Sequence, residues 1–481
     1  MITTATIKGI QDIMRKDTGV DGDAQRISQE VWMLFLKIYD DKEKEYEIKE
    51  PRYKSPIPEK LRWRNWAAHD EGITGDELLK FVNNELFPGL KELSFEEGDD
   101  PRGFIVKQVF QDAYNYMKSG TLMRQVINKI NKDFDFNSTQ DRHVFNDIYE
   151  KILNDLQSAG NAGEYYTPRA VTEFVTEMVN PRLGEKIIDP ACGTGGFLAC
   201  AIEHIRKNDV KTIEDEKILQ NSIYGFDKKP LPHLLCSTNM ILHGIETPTN
   251  IKRDNALARP LRDYTEADRV DVVLMNPPFG GVEEDGIEEN FPATLRTKET
   301  ADLFLVLIMN LLKQGGRAGI VLPDGVLFGE GVETRIKEKL LEECNLHTIV
   351  RLPNGVFAPY TGIRTNLLFF EKGNPTKEVW YFEHPYPEGV KTYNKTKPIK
   401  VDEFMLEKKW WNSRVENEYA WRVSINQIRE RNYNLDISNP RKIQNEKSLS
   451  SKELLEIIEK INKEIIIGTE KLKKSITTYE I

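Results

Sequence analysis

The sequence predicts an α/β protein with a doubly wound, mostly parallel sheet, an α-helical N-terminal domain and a C-terminal helix of the coiled-coil type. Strand and helix patterns alternate between about residues 160 and 430, which is typical of a doubly wound sheet. A short apolar strand enters a glycine-rich turn near residue 193, and the largely apolar run 270–275 is followed by Asn276 and two consecutive prolines. At 481 residues the chain is long enough for two or three domains with sizeable cores.

The first predicted domain, residues 1–157, shows helical periodicity without strand alternation. One predicted helix has an apolar face made of Ile27, Val31, Leu34 and Ile38. Thr74 and Glu77 have the spacing of a capping box before a second helix. Trp63 and Trp66 are interpreted as core residues of this helical domain, in preference to base-stacking residues.

The second predicted domain, residues 158–438, starts with a strand, a glycine-rich turn and a helix. The strand is predicted at Lys186–Asp189 and the helix at Phe197–Arg206. Glycines in such a turn allow the backbone to approach a bound nucleotide. The turn lacks a third glycine placed for close helix packing, so a nicotinamide dinucleotide fits it poorly.

Two further segments have the residue types of a nucleoside site. Ile223–Asp227 is predicted to be the second strand, and an acid at its end is well placed to accept hydrogen bonds from ribose hydroxyls. Asp254-Asn255-Ala256 is a polar-then-apolar turn, which suits the edge and face of an adenine.

Asn276-Pro277-Pro278-Phe279 follows the apolar strand 270–275 and predicts a clamp for a planar amine. The prolines hold the loop extended above the carboxyl edge of the sheet. The Asn276 side-chain carbonyl and the Pro277 main-chain carbonyl can both accept from an –NH2 group, and Phe279 offers a face for stacking. The alternative is a strand-terminating turn with a packed phenylalanine.

The later strands of this domain are predicted at Arg317–Leu322, His347–Leu352, Thr365–Phe370 and Val379–Glu383. Pro323-Asp324-Gly325 is predicted to be a tight turn between two of these elements. This turn either lines the target pocket or is an ordinary strand-to-helix connection.

In chain order the sequence offers a glycine turn, a ribose acid, an adenine pocket and an amine clamp. That order is what a class I S-adenosylmethionine-dependent methyltransferase requires. Asp189–Phe197 and Asn276–Phe279 resemble the cofactor and catalytic motifs of DNA methyltransferases that act on N6 of adenine. Gly163–Arg169 is similar to the segment that closes over the cofactor's methionine end in those enzymes.

Two more segments narrow the resemblance to one family. Thr361–Phe370 and Glu416–Trp421 resemble signatures of the modification (M) subunits of type I restriction–modification systems, and the similarity covers nearly the whole chain. It implies methyl transfer to a flipped adenine in double-stranded DNA, catalysed by Asn276, Pro277 and Phe279. The cofactor-binding residues predicted from the patterns and the resemblance are Tyr166, Thr167, Asp189, Ala191, Gly193, Thr194, Gly195, Gly196, Phe197, Asp227, Asp254, Asn255 and Ala256.

The charge balance indicates that DNA binding is shared with a partner. There are 67 Lys and Arg against 77 Asp and Glu, a net charge of −10, whereas a chain that binds DNA unaided usually has a basic surface. The resemblance implies assembly with a DNA specificity (S) subunit and a second M subunit, and leaves a restriction (R) nuclease subunit open.

The third predicted part, residues 439–481, ends in a helix that starts with a capping box at Ser450 and Glu453. Its apolar positions follow a heptad seam: Leu454, Ile458, Ile461, Ile465 and Leu472. Such a seam pairs with a partner helix or docks on the chain's own core. The resemblance favours the specificity subunit as its partner.

The remaining features set limits on location and chemistry. No apolar run has membrane-spanning length and no signal peptide is visible, so we expect a cytoplasmic protein. Four cysteines without CxxC spacing predict buried thiols and no metal site. Two alternative functions remain: an RNA or protein amino-group methyltransferase using the same clamp, and a non-catalytic scaffold that keeps the fold.

Overall fold

The computed structural model describes residues 4–95, 100–134, 136, 166–358, 361–394 and 396–441, with nine positions between 455 and 469. Contacts divide the chain into two units, residues 1–436 and 437–481. The predicted boundary after residue 157 lies outside the described residues.

The described N-terminal residues form helices. The α-helices are α1 (Thr4–Met14), α2 (Asp23–Lys49), α3 (Trp63–Trp66), α4 (Gly75–Phe81), α5 (Phe87–Lys91), α6 (Arg102–Asp112) and α7 (Gly120–Asp133), with a π-helical turn at Val82–Leu86. The predicted apolar face is confirmed on α2, where Ile27, Val31, Leu34 and Ile38 are all buried. Burial of this face holds α2 in the middle of the helical region.

The two tryptophans are core residues, as predicted. Trp63 donates from Nε1 to Asn131 Oδ1 over 2.8 Å, and Trp66 is buried beside it. The predicted capping box is wrong: Thr74 precedes α4, but its side chain accepts no capping hydrogen bond. Gly75 enters the helix with a φ of 57°, and this left-handed turn keeps the Thr74 hydroxyl away from the first N–H groups.

The second region is built on a sheet of nine strands within the described residues, in the order β3-β2-β1-β4-β5-β7-β6-β8-β9. The strands are β1 (Ile187–Asp189), β2 (Ile223–Asp227), β3 (Ile251–Arg253), β4 (Val270–Met275), β5 (Leu312–Pro323), β6 (Cys344–Arg351), β7 (Thr365–Lys372), β8 (Glu378–Glu383) and β9 (Ala420–Ser424). All the predicted strands are present.

The sheet is mostly parallel, as predicted. Strands β1 to β5 pair only in parallel with one another, whereas β7 runs antiparallel to both β5 and β6. Because parallel strands end at one edge, the turn after β1, the acid at the end of β2 and the loop after β4 all meet there. This edge contains the candidate site.

Helices cover the sheet between these strands. They are α8 (Arg169–Val179), α9 (Gly196–Asn208), α10 (Ile213–Gln220), α11 (Pro230–Leu242), α12 (Thr300–Leu311), α13 (Asp324–Phe328), α14 (Val332–Glu343), α15 (Met405–Trp411) and α16 (Ile425–Glu430). Pro323-Asp324-Gly325 is a strand-to-helix connection, since β5 ends at Pro323 and α13 begins at Asp324.

Helix α11 joins the two regions of the first unit. Leu234, Leu235, Ile241 and Leu242 belong to the same buried apolar cluster as the N-terminal helices. The opposite side of α11 packs on β2 and β3. The N-terminal helices are therefore fixed close to the sheet edge at which β2 and β3 end.

The second unit is described at few positions. Ile458, Ile461 and Ile465 are helical and at least half exposed, whereas Leu454, Leu472 and the predicted cap at 450–453 lie outside the described residues. Elsewhere, all four cysteines are buried, as predicted. None of the described helices is both long enough and apolar enough to cross a membrane.

Candidate active site

A cavity of about 240 Å³ lies at the carboxyl edge of the sheet. Its walls are the loops that follow β1, β2, β3 and β4, together with the first turns of α11 and α12. Eight of the predicted site residues line it: Tyr166, Ala191, Gly193, Asp227, Asp254, Asn255, Ala256 and Asn276. The tertiary structure thus brings four sequence segments, together with Tyr166, to one cavity.

Asn276 lines this cavity and has one amide atom engaged and one not, within the described residues. Its amide Nδ2 donates to Thr167 Oγ1 over 2.9 Å. Its Oδ1 is buried and has no hydrogen-bond partner among the described residues. A buried acceptor without a partner costs free energy, so a donor is expected to bind there during function.

The other clamp residues are placed differently. Pro278 lines the cavity, while Pro277 is buried in the chain. Phe279 is 4% exposed and packs edge-to-face on Phe357, with 5.6 Å between ring centroids. The packed phenylalanine of the alternative interpretation is therefore present, and stacking on a substrate requires the Phe279 ring to become accessible.

The turn after β1 is anchored by the buried carboxyl of Asp189. Asp189 accepts from the Ala191 N–H over 3.1 Å, and burial raises the pKa of this carboxyl well above its usual range. Gly193 has a φ of 54°, and a Cβ built on it would meet no atom within 4 Å. The backbone at Gly193 is consequently open to a ligand in the cavity.

The rest of the turn lies behind the cavity wall. Gly195 is the N-cap of α9 with a φ of 80°, and an added Cβ would lie 2.8 Å from Cys236 Sγ. Its lack of a side chain serves close packing on α11, the role that the sequence appeared to leave unfilled. Thr194 and Phe197 are buried, and Gly196 starts α9, so none of the three lines the cavity.

Asp227 connects the ends of β1 and β2. Its Oδ2 accepts from the Gly193 N–H over 3.1 Å, and its Oδ1 accepts from the Lys229 N–H over 2.8 Å. Its carbonyl accepts from the Asp254 N–H over 3.0 Å, which ties in the loop after β3. The predicted ribose acid therefore also holds together the loops that follow β1, β2 and β3.

The segment after β3 has the predicted polar and apolar parts. Asn255 Oδ1 accepts from the Leu257 N–H over 3.0 Å, which fixes the direction of the amide. Ala256 is buried at the cavity wall. Of the segment before α8, Gly163–Tyr165 lie outside the described residues, whereas Tyr166 lines the cavity and Thr167 orients Asn276.

Several cavity residues were not among the predicted catalytic and cofactor-binding residues. They are Pro190, Lys228, Lys229, Pro232, Pro278, Gly281, Val282, Glu283, Thr300 and Phe304. Lys228 and Lys229 directly follow the predicted ribose acid Asp227, and this basic pair is the signal in the sequence that could have identified them. Glu283 and Thr300 belong to the connection from β4 to α12, and only its path back over the sheet edge brings them to the cavity.

The donor set fits S-adenosylmethionine. A carboxylate, an oriented amide and a small apolar side chain suit its adenosine part, and the open backbone at Gly193 suits its methionine end. The sheet is doubly wound with an antiparallel β7, and its edge has a glycine turn after β1, an acid at the end of β2 and, after β4, an acceptor with no partner among the described residues. These features define a class I S-adenosylmethionine-dependent methyltransferase.

Comparison with known proteins gives the family. Residues 140–449 match the N-6 DNA Methylase family, and residues 3–130 match the HsdM N-terminal domain. The type I restriction enzyme EcoEI methylase subunit of Escherichia coli is 64% identical over 447 residues, covering 92% of this chain and 91% of that protein. This chain therefore belongs to the N-6 DNA methylases, as a methylase subunit of the type I restriction enzymes.

Solved structures agree with this assignment. A modification subunit from Vibrio vulnificus YJ016 is 44% identical with a TM-score of 0.83, covering 92% of this chain and 98% of that one. A chain from work on complex assembly of the type I R-M system is 37% identical with a TM-score of 0.80, covering 98% and 97%. The protein is thus an adenine-specific, S-adenosylmethionine-dependent DNA methyltransferase subunit.

Proposed function

We propose that this chain methylates N6 of an adenine flipped out of double-stranded DNA, with Asn276 and Pro277 polarising the amine. The observation that carries this proposal is the buried Oδ1 of Asn276, which lacks a partner among the described residues at the edge of the cavity. An exocyclic amine offers the donor that this oxygen lacks.

The chemistry of adenine explains why two acceptors are needed. The amine lone pair is delocalised into the ring, which makes the nitrogen a poor nucleophile. Hydrogen bonds from its N–H groups to the Asn276 side-chain carbonyl and the Pro277 main-chain carbonyl draw the nitrogen towards tetrahedral geometry and free the lone pair. S-adenosylmethionine supplies the electrophilic sulfonium methyl.

The target must leave the duplex to reach this site. A paired adenine has its amine inside the helix, and enzymes that modify bases extrude them into a pocket. We assign Phe279 to stacking on the flipped base. That role requires the ring to leave its packing on Phe357 in part, or to expose one face when DNA binds.

We assign each part of S-adenosylmethionine to the residues that line the cavity. We assign the ribose hydroxyls to Asp227 and the adenine edge and face to Asp254, Asn255 and Ala256. The turn Asp189–Phe197 receives the methionine end, and Tyr166 and Thr167 close over it. Asp189, Thr194, Gly195, Gly196 and Phe197 act by shaping this turn, since their side chains are buried or absent.

The net charge of the chain and the exposed apolar residues of its C-terminal tail support assembly with other subunits. A chain of net charge −10 gains DNA affinity from a partner, for which we propose a specificity subunit, with a second methylase subunit in the same complex. The half-exposed Ile458, Ile461 and Ile465 suit a partner helix. A restriction subunit completes the restriction-competent form, and we place the complex in the cytoplasm.

We divide the chain by role into residues 1–157, a helical region that contacts DNA or subunits, residues 158–438, the catalytic domain, and residues 439–481, the tail. A methyl-transfer assay with labelled cofactor on DNA, RNA and protein, with the specificity subunit present, tests the function. DNA alone should be labelled, on N6 of adenine, and Asn276→Ala should abolish the label while binding cofactor normally. Labelling of RNA or protein instead of DNA would contradict the proposal.

A further inference from the structure

Glu283 is a buried carboxylate in the wall of the cavity, seven residues after Asn276 in the chain. It is 7% exposed and belongs to the loop that connects β4 to α12. The clamp Asn276–Phe279 begins the same loop, so the position of this loop determines where the clamp lies. A residue that links this loop to the loops after β2 and β3 therefore also fixes the position of the clamp.

Main-chain hydrogen bonds join two segments of this loop, 281–283 and 298–300. The Thr300 N–H donates to the Gly281 carbonyl over 2.9 Å, and the Glu283 N–H donates to the Lys298 carbonyl over 3.0 Å. The same two segments also form an antiparallel bridge between Val282 and Glu299. The Glu283 carboxylate consequently starts from a well-defined backbone position.

The carboxylate reaches three elements around the cavity. Thr300 Oγ1, at the start of α12, donates to Oε1 over 3.0 Å. Asn255 Nδ2, after β3, donates to Oε2 over 3.3 Å. Lys228 Nζ, after β2, donates to Oε2 over 3.2 Å. Lys228 can only donate, and the Asn255 amide cannot reverse because its oxygen already accepts from the Leu257 N–H. The Thr300 hydroxyl donates in this arrangement, although a hydroxyl can also accept.

We propose that Glu283 is a positioning residue for methyl transfer, which holds the adenosine-binding side chains and the base of the clamp loop in one arrangement. Lys228 and Asn255 both direct donors at Oε2, so this oxygen position requires an acceptor, and the Lys228 ammonium favours a charged one. An amide at this position can pair its –NH2 group with the Thr300 hydroxyl, but it removes the negative charge that faces Lys228. The inference rests on the proposed cofactor site, in which Asn255 contacts the adenine.

Glu283→Gln tests this role, because the substitution keeps the volume and removes the charge and one acceptor. Hydrogen bonds to charged groups contribute enough that S-adenosylmethionine affinity should fall roughly tenfold to a hundredfold, measured by calorimetry. The ligand-free chain should unfold at about the parental temperature, since Lys228 is 42% exposed and can be hydrated when its partner is neutral.

Glu284→Gln is the matched control, since Glu284 is the adjacent residue and its side chain is exposed. It should bind S-adenosylmethionine as the parent does. Lys228→Met combined with Glu283→Gln should weaken binding by less than the product of the two single effects, because the two groups act as a pair.

Parental affinity in Glu283→Gln would overturn the inference, as would a loss that follows a matching fall in unfolding temperature. Asp227→Ala separates this failure from failure of the cofactor site. If Asp227→Ala weakens binding and Glu283→Gln does not, only the positioning role is wrong. If neither variant weakens binding, the proposed cofactor site is wrong as well.

Discussion

The Asn276 amide nitrogen donates to the Thr167 hydroxyl over 2.9 Å, and this arrangement leaves the amide oxygen to accept from a substrate. With Nδ2 engaged, the carbonyl oxygen is buried and has no hydrogen-bond partner in the part of the chain that the structure describes. A clamp for an amine needs this orientation, because an amide turned by 180° would present a donor to a donor. Thr167, 109 residues away in the chain, therefore supports the orientation that the clamp needs.

Thr167→Val should slow methyl transfer by about tenfold, because the Asn276 amide loses the bond that orients it. The effect should be smaller than that of Asn276→Ala, for which loss of a preorganised polar group costs on the order of 10²–10³ in rate. Single-turnover methylation with the specificity subunit present measures both. Thr167→Ser retains the hydroxyl and should react at nearly the parental rate, and a parental rate in Thr167→Val would disprove the orienting role.

Asp227→Ala should weaken S-adenosylmethionine binding by about 1.5–3 kcal/mol, or one to two decades, through loss of a charged acceptor. Part of the loss comes from the glycine turn, whose Gly193 N–H donates to this carboxylate. Asp227→Asn keeps one acceptor and should lose less. Titration calorimetry compares the variants, and unchanged affinity in Asp227→Ala refutes the ribose assignment.

Phe279 requires a conservative change, because its ring is packed on Phe357. Phe279→Ala would cost about 3–5 kcal/mol of stability as well as any stacking. Phe279→Leu keeps most of the volume and should raise the KM for target DNA at saturating cofactor, since base stacking contributes about 1–3 kcal/mol. If Phe279→Leu leaves that KM unchanged while unfolding normally, the ring serves packing alone.

Removal of the residues after 448 should abolish co-purification with a specificity subunit. The described tail residues Ile458, Ile461 and Ile465 are at least half exposed, as expected of a seam that another helix covers. S-adenosylmethionine affinity should be unaffected, which serves as the folding control. Complete assembly of the truncated chain would show that the tail is not the subunit contact.

Asp302 should make stability depend on pH. Burial, with Glu333 and Glu299 nearby, raises the pKa of this carboxyl to about 7, and neither oxygen has a hydrogen-bond partner among the described residues. A raised folded-state pKa means that the folded chain holds the proton, so this stabilisation is present below about pH 4 and is lost as pH rises through 7. At pH 8 the free energy of unfolding of Asp302→Asn should therefore exceed that of the parent by about 1–3 kcal/mol. At pH 4 the two free energies of unfolding should differ little. An equal difference at both values would exclude this titration.

The sequence predicted the strands, the glycine turn, the acid Asp227 and the acceptor Asn276 because each depends on a short pattern. The largely apolar run 270–275, followed by Asn276 and two prolines, indicates a buried strand that ends at the prolines, and parallel strands bring their carboxyl ends together. Local pattern failed at Thr74, where the left-handed Gly75 removed a cap that the residue types alone support. It also could not separate packing from stacking for Phe279, since both need the same residue.

Local patterns therefore established the fold class, the order of the motifs and the chemical types at the cavity. Tertiary packing determined the contacts between segments distant in sequence: Thr167 on Asn276, Gly195 against Cys236, and Glu283 among Lys228, Asn255 and Thr300. The physical reason is that a hydrogen bond between two loops depends on the path of both chains. A propensity or a spacing contains information about one segment only, whereas the sheet edge at which the loops meet exists only in the folded chain.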